Sequence, residues 1–349
     1  MDLRVTTIIP TYRRPELLGR AIRSVLAQPH PQLEVLVCDN ASGDGTRDVV
    51  EKFITVDPRV RYRLREKNLG VNGNIGAGFQ EVQTPYCSVL PDDDVMLPDF
   101  YPATLRGMLQ HPEAVFSAGR SLLMTEAGMP VSVMPGFRTR AGYYTAPHGI
   151  LSLISGHMVS HMAMNGILYR TDIARQHWPT SAEDGSPSDI EFILRLSARY
   201  PYVLCDEVIL LICLHEANLA KSRIPLYQGW LEVYRKLSSG EWLEEPCRSA
   251  AERRFFVQLR NAYTKIWLRC IVQGNWGEAY ILADLLEEEF GLSGWSRTLF
   301  KATQFFRKNP DSTRRMRLCR ALERKDQAYG KRFLHRYAKY ARFFREYET

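Results

Sequence analysis

The amino-acid sequence predicts an α/β protein with a mostly parallel, Rossmann-like sheet in its N-terminal part, followed by an all-helical C-terminal region. Short apolar runs alternate with segments of helical spacing in the first 90 residues. Such alternation is typical of a parallel sheet covered by helices. Beyond Ser222 the apolar spacings are three and four residues, over 226–237, 247–272 and 276–290. We therefore expect one domain over residues 1–222 and a helical domain over 223–349.

The strands and helices of the N-terminal part follow one another in a regular order. Apolar runs predict strands over 5–9, 33–38, 86–90 and 208–214, and a further strand is predicted over 60–64. Helical spacing predicts a helix over 15–26. Turn residues over 39–45 follow the second strand and open a further helix at about Thr46. Each of the first four strands ends in a polar or Gly-rich loop. Because ligands of such sheets bind at the carboxyl ends of the strands, we expect the functional residues in these loops.

Composition and cysteine usage exclude several classes of protein. With 45% hydrophobic and 24% charged residues among 349, the chain has enough apolar material for a packed core and is not a disordered chain. No apolar run approaches the roughly 18 to 20 residues that span a bilayer, and no export signal is visible. The 7 cysteines include no Cys-x-x-Cys pair, which fits neither a disulfide framework nor a zinc ribbon. We expect a cytoplasmic protein.

Positive charge is concentrated at one end of the sequence. Residues 301–349 contain 15 Lys and Arg against 5 Asp and Glu, within a chain of net charge +7. This predicts either an anionic partner, such as a membrane surface, a charged acceptor or nucleic acid, or a solvated basic helix. The cations of 332–345 interleave with aromatic residues, as in an interfacial membrane helix. Packing of these aromatics against the helical domain is the alternative.

Three adjacent carboxylates, Asp92, Asp93 and Asp94, follow the fourth predicted strand. Adjacent carboxylates repel one another, and a bound hard divalent cation is the usual reason for such a cluster. The alternative is a solvated acidic turn or a cap for a helix near Pro98. The position of the cluster at a strand end favours the metal site.

The order and spacing of six motifs over residues 3–222 resemble the inverting family 2 glycosyltransferases of the GT-A fold. Each motif is weak alone, but their common order is specific. The motifs are Ile8-Ile9-Pro10-Thr11-Tyr12, Asp39-Asn40-Ala41-Ser42, Asn68-x-Gly70 with Asn74 and Gly76, Asp92-x-Asp94, Ser188-Asp189 before Phe192-x-Leu194-Arg195-Leu196, and His215.

The resemblance implies a role for each of these positions. Asp39 would accept a hydrogen bond from a uracil or thymine imide in a nucleotide pocket that also includes Pro10, Thr11 and Tyr12. The segment from Asn68 to Asn74 would close over the ribose and diphosphate, although Asn72-Gly73 stands where Ala-Arg is common in the family. Asp92 would contact the sugar or ribose, Asp93 would support the metal shell, and Asp94 and His215 would bind Mn²⁺ or Mg²⁺.

The resemblance also implies that Asp189 is the general base. Apolar helical spacing after Asp189 puts this carboxylate at a helix N-terminus, where its ionised form is favoured. Ser188 is a rival capping residue and Glu191 a rival base. His157 and His161 stand four residues apart, and we expect them to line the acceptor cleft or to pack in the core.

These expectations combine into a metal-dependent inverting glycosyltransferase. It would move a sugar from a UDP-sugar or dTDP-sugar to a hydroxyl of a carbohydrate, lipid-linked or protein acceptor, with possible peripheral contact at an anionic membrane. The alternatives are a nucleotidyltransferase of sugar phosphates and a non-enzymatic nucleic-acid-binding or scaffold protein. We expect no nucleic-acid partner.

Overall fold

A mixed ten-stranded sheet forms the centre of the N-terminal part in the computed structural model. The structure describes residues 2–125, 127–134, 139–154, 164–178, 188–214, 224–288, 293–318, 320–321, 333 and 335–347. The strands are β1 (Val5–Thr11), β2 (Leu33–Asp39), β3 (Val60–Leu64), β4 (Tyr86–Val89), β5 (Val95–Met96), β6 (Phe116–Thr125), β7 (Pro130–Met134), β8 (Gly142–Tyr144), β9 (Ile167–Arg170) and β10 (Tyr202–Leu214).

The strand order is β3-β2-β1-β4-β9-β6-β10-β5, with β7 paired to β6 and β8 paired to β10. Strands β3, β2, β1 and β4 are parallel, as are β6 and β10. Strand β9 is antiparallel to both β4 and β6 and joins the two parallel groups. The predicted α/β fold with a mostly parallel sheet is therefore confirmed, with antiparallel strands added in its second half.

Helices pack on both faces of this sheet. Neighbouring strand residues point to opposite faces, so Ile8 and Ile9 belong to two different buried clusters. The helices of this part are α1 (Pro15–Leu26), α2 (Thr46–Val56), α3 (Gly70–Glu81), α4 (Phe100–Gln110), α5 (Gly149–Ile154), α6 (Thr171–His177) and α7 (Ser188–Arg199). Helix α1 shows why they form: Pro15 starts it, and its apolar stripe, Leu18, Ile22 and Val25, is fully buried.

The described residues from Ile224 onwards are mostly helical, as the apolar spacing predicts. The helices are α8 (Ile224–Ser238), α9 (Cys247–Gln273), α10 (Trp276–Glu288) and α11 (Ser293–Lys308). Helix α9 buries Phe255, Leu259 and Tyr263 on one stripe, and Gly274 ends it in the left-handed conformation with φ of 74°. Buried residues of α8 to α11 belong to the same cluster as one face of the sheet. The expected domain boundary at residues 222 and 223 lies outside the described residues.

The C-terminal segment, which we define as residues 333 and 335–347, packs on the sheet. It includes the short helix α12 (Ala341–Glu346). Phe333, Tyr337 and Tyr347 are buried in a cluster with side chains of β5, β6, β7 and β10. The sequence led us to expect either a membrane helix or packing on the helical domain, and the structure differs from both. Within the described residues, no helix is both long and apolar enough to cross a membrane.

Candidate active site

The carboxyl ends of β1, β2 and β4 lie side by side, and the predicted site residues follow them. Pro10 and Thr11 are paired in register with Cys38 and Asp39 of β2. The Thr11 hydroxyl donates a hydrogen bond to Oδ2 of Asp92 over 2.7 Å, which connects the end of β1 to the acidic loop after β4. The parallel arrangement thus brings three separate motifs to one edge of the sheet.

The acidic loop is almost completely buried. Asp92, Asp93 and Asp94 are exposed by only 4%, 7% and 2%. Burial raises the pKa of Asp92 to about 6, although the hydrogen bond from Thr11 opposes the shift. A cation, Arg14, lies 2.9 Å from Oδ2 of Asp93 and 3.4 Å from Oδ1 of Asp92. Several acidic groups thus share a site of low solvent exposure, which favours the binding of further positive charge.

Asp94 is held by two groups from distant parts of the chain. Its Oδ1 accepts a hydrogen bond from the backbone N–H of Cys213 over 2.9 Å, and its Oδ2 accepts one from the side-chain amide of Asn165. Burial, followed by the charge of Asp93, raises the pKa of Asp94 well above its ordinary value. Neither Asn165 nor Cys213 was identified from the sequence. Cys213 contributes only its backbone, so no side-chain pattern could have revealed it.

The carboxylates fit a hard cation only in part. Each oxygen of Asp94 accepts one of these hydrogen bonds and retains a lone pair, and carboxylate oxygens are ligands that Mg²⁺ and Mn²⁺ accept. In the described part of the chain, no group of three His, Cys, Asp or Glu side chains is arranged to hold a metal. His215 lies outside the described residues. A cation at Asp94 would therefore need oxygen atoms from a ligand as well.

Asp39 lies at the end of β2 beside two residues with unusual backbone conformations. Its Oδ1 accepts a hydrogen bond from the N–H of Ser42 over 2.9 Å, and its Oδ2 accepts one from the Tyr62 hydroxyl over 2.6 Å. Ala41 and Arg13 adopt positive φ values of 63° and 56°. Such conformations are costly for residues other than glycine and cluster at functional sites.

The surroundings of Asp39 contain a residue that the sequence did not reveal. This residue is Tyr62 on β3. Burial, together with the hydrogen bond to Asp39, raises the pKa of the Tyr62 hydroxyl. Tyr12 remains 38% exposed, with the Arg13 guanidinium 5.1 Å from its ring centre. The Arg13 guanidinium covers part of this ring, and the rest of the exposed ring is a surface against which a planar base can pack.

The segment from Asn68 to Asn74 forms the first turns of a helix, since α3 begins at Gly70. The Asn40 side-chain amide donates to Oδ1 of Asn68 over 2.9 Å, which attaches the segment to the end of β2. Asn74 is 1% exposed and donates to the carbonyl of Cys38 over 2.7 Å. Both predicted donor-binding asparagines therefore already make hydrogen bonds within the protein, and Asn74 is directed toward β2.

Asp189 is the second residue of α7, as the sequence predicts. The Ser188 hydroxyl donates to Oδ1 of Asn72 over 2.9 Å, and the Trp178 indole donates to the Asn72 carbonyl over 3.0 Å. The Ser188 bond attaches the N-terminus of α7 to the first turn of α3, and the Trp178 bond attaches the end of α6 to the same turn. Burial raises the pKa of Asp189. Burial, followed by the charge of Asp189, raises the pKa of the Tyr169 hydroxyl.

The rival base, Glu191, is engaged elsewhere. Its carboxylate lies 3.0 Å from the Lys236 ammonium of α8, and its side chain is 13% exposed. A carboxylate held in this ion pair is less available as a base than Asp189, which sits at a helix start. His157 and His161 lie outside the described residues.

Comparison with solved structures identifies the class of fold. The Staphylococcus aureus TarS 1–349 structure in complex with UDP-GlcNAc has a TM-score of 0.60 at 14% identity, over 89% of this chain and 93% of that one. The mannosyltransferase PcManGT from Pyrobaculum calidifontis, in complex with GDP-Man and Mn²⁺, has a TM-score of 0.52 at 15% identity, over 88% of each chain. At such identities the likeness shows the fold alone, which is that of the GT-A glycosyltransferases.

Sequence comparison points to the same class of enzyme. Residues 6–164 match the model for glycosyl transferase family 2, which supports the resemblance seen in the sequence over that part of the chain. The putative teichuronic acid biosynthesis glycosyltransferase TuaG of Bacillus subtilis (strain 168) is 30% identical over 127 residues, which are 36% of this chain and 50% of that protein. The GalNAc(5)-diNAcBac-PP-undecaprenol beta-1,3-glucosyltransferase of Campylobacter jejuni subsp. jejuni is 35% identical over 95 residues, 27% of this chain and 31% of that protein. The chain thus spans half or less of the length of these relatives.

Proposed function

We propose that this protein is a metal-dependent inverting glycosyltransferase that moves a sugar from a UDP-sugar or dTDP-sugar to an acceptor hydroxyl. The observation that carries the proposal is the buried acidic loop Asp92–Asp94 at the edge of the sheet where Thr11 and Asp39 also lie. A nucleoside diphosphate leaves with negative charge, and a cation bound to this loop would compensate it.

The nucleotide specificity is inferred from Asp39. Each Asp39 oxygen already accepts one hydrogen bond and has capacity for a second, so a uracil or thymine imide could donate to it. The exposed ring of Tyr12 would lie against the base. The TarS structure was determined with UDP-GlcNAc and PcManGT with GDP-Man, so a panel of donors must decide the base and the sugar.

Asp94 and His215 are the residues that we propose to hold Mn²⁺ or Mg²⁺, with Asp93 supporting them. When bound, the metal would act as a Lewis acid on the diphosphate. Asp92 would contact the ribose or the sugar. The N-terminus of α3, with Asn68 and Asn72 near it, would approach the diphosphate, where a helix N-terminus favours negative charge.

The transfer step assigned to Asp189 is proton removal. As the acceptor oxygen attacks the anomeric carbon, its proton passes to an Asp189 oxygen, and the bond from that carbon to the diphosphate oxygen breaks. Attack opposite the leaving group inverts the configuration. The raised pKa of Asp189 suits this role, because a base is most effective when its pKa approaches the working pH.

We place the acceptor among surface glycans, lipid-linked oligosaccharides or glycosylated proteins. The names of the two relatives, which include teichuronic acid biosynthesis and an undecaprenol-linked acceptor, support the first two. We also propose a cytoplasmic location with peripheral contact at an anionic membrane.

The proposal is tested by measuring nucleoside diphosphate release from UDP-, dTDP- and GDP-sugars, with Mn²⁺ and with a chelator. We expect release from a uridine or thymidine donor that depends on the metal and is lost in Asp94→Asn. The matched control is Asp48→Asn, which changes an exposed carboxylate on α2. Release of pyrophosphate instead would indicate a nucleotidyltransferase. Donor affinity that is equal with chelator, and unchanged in Asp94→Asn, would contradict the proposed metal site.

A further inference from the structure

Helix α11 presents a face of mixed aromatic and cationic side chains to solvent. Its inner face buries Ser296, Leu299 and Thr303, and the Thr303 hydroxyl accepts a hydrogen bond from the Trp267 indole over 2.9 Å. The opposite face recurs at intervals of three and four residues, as one side of a helix does. Its members are Arg297, Phe300, Lys301, Phe305 and Lys308, all exposed.

Residues 313–318 extend this face. The Arg315 guanidinium donates to the carbonyls of Ile271 and Val272 at the end of α9, over 3.0 and 2.7 Å, which fixes the segment in place. The Arg314 guanidinium then lies 6.0 Å from the ring centre of Phe305. Met316 is 48% exposed, and Arg317 is exposed beside it. We call these exposed residues of 297–317 the basic-aromatic surface.

The charge of this surface is strongly positive. Residues 293–318 contain 7 Lys and Arg and a single carboxylate, Asp311. The exposed apolar side chains lie among these cations: Phe300 is 36% exposed and Phe305 42%. Partly exposed rings that lie among cations match the boundary between anionic headgroups and acyl chains.

We infer that the basic-aromatic surface binds the headgroup region of an anionic lipid bilayer. The rings favour a bilayer over a single-stranded nucleic acid. Phe300 packs against Tyr280 with ring centres 4.8 Å apart, and Phe305 contacts both Phe306 and the Arg314 guanidinium. Protein groups therefore already occupy ring surface that bases would need for stacking, while the exposed ring edges can enter an interface.

This inference moves the membrane contact away from the C-terminal segment. There Phe333, Tyr337 and Tyr347 are buried on the sheet. The cations of that segment lie over rings that already pack against protein, such as Arg342 over Phe343. The basic-aromatic surface, by contrast, combines exposed rings with exposed cations. The inference does not depend on the transfer reaction.

The test is sedimentation of the full chain with vesicles of phosphatidylcholine alone and of phosphatidylcholine with phosphatidylglycerol. We expect binding only to the anionic vesicles, and weaker binding at high salt, because the Debye length falls to about 3 Å at 1 M. The double variant Lys301→Glu with Lys308→Glu should lower the partition coefficient about tenfold or more. The matched control is Lys52→Glu, an exposed lysine on α2, which should bind as the parent does.

A second variant separates the apolar contribution. Phe300→Ser with Phe305→Ser should remove the part of the binding that survives high salt, with unchanged circular dichroism because both rings are partly exposed. Diphosphate release should be unchanged in every variant, so that failure here is distinguishable from failure of the proposed enzyme activity. The inference is overturned if the parent stays in the supernatant with anionic vesicles at low salt, or if the charge-reversal variant binds as the parent does. It is equally overturned if an oligonucleotide, and not the vesicles, is bound through Lys301 and Lys308.

Discussion

Replacing Asp189 with Asn tests the assignment of the base with a minimal change in shape. Asparagine cannot accept the acceptor proton, and general-base catalysis contributes about 10² to 10⁴ in rate. At about 1.4 kcal/mol per tenfold change, the barrier should rise by roughly 3 to 5.5 kcal/mol. The Ser188 hydroxyl donates the hydrogen bond that joins the start of α7 to Asn72, and Asp189→Asn leaves this bond in place. Donor affinity should therefore stay within a few fold.

Glu191→Gln is the matched comparison for Asp189→Asn. It removes a carboxylate two residues away that pairs with Lys236 over 3.0 Å. We expect a lower melting temperature and nearly unchanged turnover, because the pair joins α7 to α8. For both variants, kcat and KM are measured from diphosphate release, and donor affinity is measured by calorimetry. Thermal unfolding gives the melting temperature of each variant. Near-normal turnover in Asp189→Asn, or a larger loss in Glu191→Gln, would refute the assignment.

The pH profile supplies an independent measurement of the same group. Because burial raises the pKa of Asp189 above 3.8, its ionised, active form is lost as the pH falls through a value above that of an ordinary aspartate. The acid limb of kcat should accordingly lie above pH 3.8. Residual turnover of Asp189→Asn should lack this limb. An identical acid limb in both proteins would show that another group titrates.

Three further changes test other parts of the structure. Asn165→Ala removes a hydrogen-bond donor to Asp94 and should weaken Mn²⁺-dependent UDP binding by about 10- to 100-fold in calorimetry; unchanged affinity would contradict this role. Tyr337→Ala should lower the free energy of unfolding in urea by about 3 kcal/mol, since the ring is 4% exposed, and a loss below about 1 kcal/mol would contradict its packing. Gly119→Ala would place a Cβ atom 2.5 Å from Ile209 and should cost about 1 to 3 kcal/mol, and adding Ile209→Val should restore part of it.

The first half of the sheet could be predicted because its signals are local. Strands β1, β2 and β4 contain apolar runs of strand length, and helix α1 has its own periodic stripe. Parallel strands joined by helices then place the ends of β1, β2 and β4 together without further information. The acidic loop was identified for the same reason, since its residues are adjacent in sequence.

The rest depends on contacts between distant parts of the chain. No local pattern indicates that β9 lies antiparallel between β4 and β6, or that Asn165 before it reaches Asp94. Asn74 shows a different limit of sequence-based prediction. A polar residue in a Gly-rich motif suggests a contact with a bound ligand, but the Asn74 amide donates a hydrogen bond to the Cys38 carbonyl. The sequence shows the alternation of aromatic and cationic residues over 332–345. It does not show that the aromatic side chains pack on the sheet.

The docking of the C-terminal segment also bears on the order in which the molecule is completed during synthesis. Val95 and Leu97 share a buried cluster with Phe333 and Tyr337, and Arg23 donates a hydrogen bond to the Tyr347 carbonyl over 2.8 Å. Phe333, Tyr337 and Tyr347 are translated well over a hundred residues after β10, whose side chains they cover. Until the ribosome has released that segment, the nascent sheet exposes the apolar side chains that flank its acidic loop. Chaperones bind exposed apolar surfaces of this kind, and proteins that expose them tend to aggregate.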